Sequence, residues 1–64
     1  MDIEVQFAEN EFVEMCTVIA IEADTFADYA VECYALGAVM LPEYSIEKIE
    51  DIQEIVWERV WAHG

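Results

Sequence analysis

The sequence predicts a small single-domain α+β protein, an N-terminal β-hairpin followed by two helices. Three observations carry that expectation. Residues 2–7 alternate polar with apolar, residues 12–22 contain a β-branched run, and residues 46–61 repeat apolar side chains with a helical period.

In the first element Asp2, Glu4 and Gln6 alternate with Ile3, Val5 and Phe7, the pattern of a half-buried strand. Glu9-Asn10-Glu11 reads as the hairpin turn, although Asn10 lacks the following Gly of the strongest hairpin signal. The second strand follows over 12–22, where CTVIAI is β-branched enough for a central position. Val13, Met15, Thr17, Ile19 and Ile21 would line one of its faces. Phe12, Glu14, Cys16, Val18 and Ala20 would line the other, so this strand needs cover on both sides or a bulge. A helix is the competing reading of 12–22, but helical projection scatters its apolar residues.

The third element is a helix. Thr25 followed by Asp28 resembles a capping box with Asp in place of Glu, and Asp24 is also a good N-cap. Residues 26–36 are Ala-rich, with Asp28 and Glu32 four apart on one narrow face. Gly37 offers a C-cap, although the apolar run to Leu41 leaves room for another turn before Pro42 breaks the chain.

The fourth element is the stretch IEKIEDIQEIVWERVW. Wound at about 100° per residue, it puts Ile46, Ile49, Ile52, Val56 and Val60 on one face, with Gln53 among them. Trp57 and Trp61 flank that face. Glu47, Asp51, Glu54 and Glu58 gather opposite, with Glu50 at their edge and Lys48 and Arg59 on the remaining border. Ser45 is the expected N-cap and His63-Gly64 a suitable ending. The alternative is two strands, 44–51 and 54–61, giving a ββαββ order. A strand would put Ile46 and Ile49 on opposite faces and separate the acids less well, so the helix is preferred.

Composition bounds what such a domain does. A chain of 64 residues buries only about 60% of its unfolded surface, which leaves little room for a deep catalytic cleft. At 58% hydrophobic it nevertheless has the apolar surface to fold. Fifteen acids face two bases, for a net charge of -13. Direct nucleic-acid binding needs Lys and Arg for phosphate contacts, and two cannot supply them. Anionic membranes are disfavoured for the same reason. The acidic start MDIEVQF lacks the basic region of a signal peptide, and no apolar run has transmembrane length, so a cytoplasmic protein is expected. Cys16 and Cys33 are expected to be buried free thiols in a reducing compartment.

No catalytic motif is visible. His63 is penultimate, Ser45 reads as a cap, and Gly37 and Gly64 cannot build a phosphate loop. Neither cysteine has the cationic surroundings that activate a thiol. Calcium-loop spacing is absent among the acids. The expectation is therefore a non-enzyme with no metal and no cofactor.

The acids themselves are the candidate working surface. Glu47, Asp51, Glu54 and Glu58 would recur every roughly 4.5 to 6 Å along a helix, of the same order as the phosphate spacing of about 3.4 Å along one DNA strand. Glu50 borders that row, and Glu9, Glu11 and Glu14 around the hairpin turn could extend the field. Acid pairs at i,i+4, such as Glu54–Glu58 and Glu47–Asp51, repel one another, a cost without structural return. Trp57 and Trp61 serve either as core edge or as interface anchors.

A short domain beginning MDIEVQF with this acid density and amphipathic layout resembles the small phage-encoded inhibitors of anti-CRISPR, anti-restriction and uracil-DNA glycosylase or polymerase inhibitor type. The resemblance implies an inhibitor whose acidic surface mimics nucleic acid. Its partner would be a basic nucleic-acid-handling protein (a nuclease, CRISPR effector, glycosylase or polymerase) in the host cytoplasm. The alternative is a structural or assembly module that associates through the Trp57/Trp61 surface, as in a homodimer, with the acids serving solubility.

Overall fold

The computed structural model describes residues 3–62, and among them every regular element is a helix. Three helices, α1 (Ile3–Glu22), α2 (Phe26–Met40) and α3 (Ile46–Trp61), form an up-down-up bundle about 34 × 20 × 17 Å. Both expected sheet arrangements are therefore corrected, the N-terminal hairpin and the ββαββ alternative alike. The hairpin turn Glu9-Asn10-Glu11 lies in the middle of α1. Asp2 of the first expected strand and the His63-Gly64 ending fall outside the described residues.

The reason α1 is a helix lies in tertiary packing. Phe12, Cys16 and Ala20, four residues apart, point into the core and are fully buried. Neither Gly nor Pro interrupts residues 3–22, and the β-branched residues cost at most about 0.7 kcal/mol each in a helix. Burial of one helical face outweighs that cost. Thr17 satisfies its hydroxyl by donating to the Val13 carbonyl at 2.8 Å. Ile3, Phe7, Val18 and Ile21 remain exposed on the far side, so apolar residues surround α1 and blur its period.

Helix α2 starts as expected, with the Thr25 hydroxyl accepting the Asp28 N–H at 3.2 Å. Its end differs. Gly37 is not a C-cap; the helix continues to Met40 and is closed by the Leu41 N–H donating to the Gly37 carbonyl. Gly37 is buried where α2 meets α1 and α3. A β-carbon there would stand 3.1 Å from Ile49 Cδ1 and 3.2 Å from Phe12 Cζ. Its role is close approach, with no left-handed backbone involved.

Helix α3 follows its sequence. Ser45 caps it by accepting the Lys48 N–H at 3.2 Å. Ile49, Gln53 and Val56 are buried, and Ile52, Trp57 and Val60 pack partly buried against the core. Ile46, expected on the same face, is 56% exposed because it sits in the first turn. Replacing Ser45 or Thr25 by Ala is expected to lower stability by about 1 kcal/mol each, read as a lower urea midpoint with an unchanged slope.

Polar side chains lock the helices together. Tyr29 Oη donates to the Gln53 carbonyl at 2.7 Å, and Gln53 Nε2 donates to the Ala30 carbonyl at 3.3 Å. These bonds cross-link α2 and α3 in the interior, where an unpaired amide or hydroxyl would be costly. At the ends of α3, Tyr44 Oη donates to Glu9 Oε1 at 2.6 Å and Trp61 Nε1 to the Ala20 carbonyl at 3.0 Å. They set α3 parallel to α1, with α2 antiparallel to both. Among the described residues no helix is long and apolar enough to cross a membrane.

Candidate functional site

Glu47, Glu50, Asp51, Glu54 and Glu58 are all exposed on α3. At about 1.5 Å rise per residue the row from Glu47 to Glu58 is roughly 16 Å long. The three-residue and four-residue steps keep it on one side of the helix. Two shallow grooves border this row. One joins Asp51, Glu54 and Glu58 to Phe26, Ile55 and Trp57; the other joins Glu47, Glu50, Asp51 and Glu54 to Phe26 and Ala30. The first turn of α2 thus forms the opposite wall of both.

Phe26 is the residue that sequence reasoning missed. It lies immediately after the Thr25 cap, 40% exposed, with its ring edge-on to Trp57 at 5.4 Å between centroids. Its place beside the acids depends on how α2 crosses α3, which a single-helix projection cannot give. Carboxylates flanking an exposed aromatic ring suit an arginine. The guanidinium can take two carboxylate oxygens and stack its plane on the ring.

The two tryptophans divide their roles. Trp57 is half-buried, with Tyr29 at 5.0 Å and Trp61 at 5.5 Å between centroids, so it belongs mainly to the core. Trp61 is 52% exposed, but its indole N–H is already bonded to Ala20. It offers a ring face and no free donor.

Glu9, Glu11 and Glu14 line neither of the two grooves beside the α3 row. They sit on α1 instead of around a turn. Glu9 is half-buried and held by Tyr44, whose phenol pKa rises because its hydrogen bond goes to a carboxylate. Glu11 is separated from Glu9 by two residues' rotation, about 200°, and so faces away from it. Lys48 is no counter-ion at the centre of the row; its Nζ stands 4.5 Å above the Tyr44 ring.

The other reactive groups are closed off. Cys16 and Cys33 are free and fully buried against each other and Tyr29. The Cys33 hydrogen bond and burial raise the Cys16 thiol pKa. Hydrogen bonds from Cys16, then Tyr29, favour Cys33 as the first thiol to ionise. At zero exposure neither sulfur reaches a substrate. Comparison with known protein families, characterised proteins and solved structures finds no match.

Proposed function

We propose that the chain is a non-enzymatic inhibitor that occupies the basic groove of a nucleic-acid-handling protein, its α3 carboxylates standing where phosphates would lie. The observation that carries this reading is the exposed row Glu47, Glu50, Asp51, Glu54 and Glu58 beside the ring of Phe26. A partner built to hold phosphates presents Arg and Lys at similar spacing. The net charge of -13 speeds encounter with such a partner and repels nucleic acid itself. The partner class is a nuclease, CRISPR effector, glycosylase or polymerase. Self-assembly through Trp57 and Trp61 has less support, because Trp57 is largely spent on the core.

The test is charge reversal at Glu47, Asp51, Glu54 and Glu58 to Lys. Wild-type protein immobilised in a host lysate at low salt should capture basic proteins that added duplex DNA then elutes. The fourfold variant should capture none of them while keeping a helical circular dichroism spectrum. Capture that survives the reversal, or that excess duplex DNA does not displace, would sink the reading.

A further inference from the structure

A third groove runs between the end of α1 and the start of α2. Its lining combines the apolar Val18, Ile19, Ala23 and Val31 with the acidic Glu22, Asp24, Asp28 and Glu32. It shares no lining residue with the two grooves beside the α3 row. Val18 is 55% and Val31 71% exposed, although both are side chains that small domains normally bury. The apolar surface continues along α2, where Ala27, Val31, Ala35 and Val39 recur every four residues and are all exposed. Such spacing makes one stripe along a helix. The alanines between the valines leave room for another helix to approach closely.

We infer that this groove docks a basic amphipathic helix of a partner protein. Apolar surface of this kind is unfavourable in water and marks an interaction site when it is contiguous and rimmed by polar groups. The acids decide the occupant. A second copy of this chain would bring its own Glu22, Asp24, Asp28 and Glu32 against the same four acids, or another part of a -13 surface. Like charges opposed across an interface disfavour that pairing. A helix with an apolar stripe and flanking Lys or Arg buries Val18 and Val31 and neutralises the acids in one pose. Only α1 and α2 form this surface, so binding there is separable from the α3 row.

The experiment uses two synthetic peptides of identical Leu and Lys composition. One places Leu at helical i, i+3, i+4 and i+7 spacing; the other scatters it. Binding to the full chain is followed by fluorescence anisotropy. The amphipathic peptide is expected to bind about tenfold more tightly than the scattered one. The Val18→Ser/Val31→Ser double variant, which changes no charge and touches only exposed positions, should weaken it about tenfold. It should leave the scattered peptide unaffected. Equal affinity for the two peptides overturns the inference, as does a double variant that binds like wild type with a native dichroism spectrum. It is also overturned if the wild-type chain sediments as a dimer that the double variant dissociates, because a second copy then owns the groove.

Discussion

Phe12→Ala is expected to abolish cooperative folding of the bundle. Phe12 has no exposed surface and reaches the point where α1 meets Gly37 of α2 and Ile49 of α3. Removing a buried Phe ring costs about 3–5 kcal/mol, part of it for the cavity left behind. A domain of this length has a total stability of only about 3–10 kcal/mol, at roughly 0.05–0.15 per residue. Gly37, on the α2 side of this contact, has no side chain to move into the gap. Thermal melts followed at the helical dichroism band should show a sigmoid for wild type and a shallow, non-cooperative slope for Phe12→Ala. Phe12→Leu, which keeps most of the volume, should retain the sigmoid. A Phe12→Ala midpoint within a few degrees of wild type would show that the three-way crossing is not where the core is held.

The second large effect is alkaline unfolding through Tyr29. Its hydroxyl is buried between α2 and α3, donating to the Gln53 carbonyl at 2.7 Å. Burial, and after it the neighbouring Cys33 and Cys16, raise its pKa above the ordinary phenol range. In the unfolded chain the group ionises near pH 10. A raised folded pKa means the unfolded state releases its proton first. The stabilising contribution is therefore complete below about pH 10 and lost at about 1.4 kcal/mol per pH unit above it, up to the folded pKa. Cys16 and Cys33 shift in opposite senses. Urea midpoints measured between neutral and strongly alkaline pH should fall steeply for wild type. Tyr29→Phe should start lower by about 1 kcal/mol, for the lost hydrogen bond, and then fall less steeply. An alkaline slope unchanged by Tyr29→Phe contradicts this account.

How much of this could be read beforehand differs from helix to helix. Helix α3 was legible because its apolar and acidic residues separate cleanly at a 3.6-residue period, and Ser45 marks its start. The start of α2 was legible for the same chemical reason, a Thr25 hydroxyl three residues before the N–H of Asp28. Helix α1 was not. Its buried set Phe12, Cys16 and Ala20 is hidden among Val, Ile, Phe and Met on every side, so a two-residue period fits its ends as well as a helical one. Only the surface offered by α2 and α3 decides which face is buried. Gly37 misled for a related reason: a glycine near a helix end looks like a cap, and the packed neighbour that requires it is remote in sequence. On the surface, the acids of one helix could be placed from spacing alone, whereas Phe26 and the Val18–Val31 groove arise between helices.

The dimensions of the bundle carry a consequence of scale. Its long axis is 34 Å, about one turn of duplex DNA at roughly 34–36 Å. A duplex of that length carries about 20 phosphate charges, one per about 1.7 Å of axis, against 13 net negative charges here. On the proposed reading, one copy stands in for about one turn of duplex at about two thirds of its charge density. On that reading a single copy would fill about ten base pairs' worth of a basic channel.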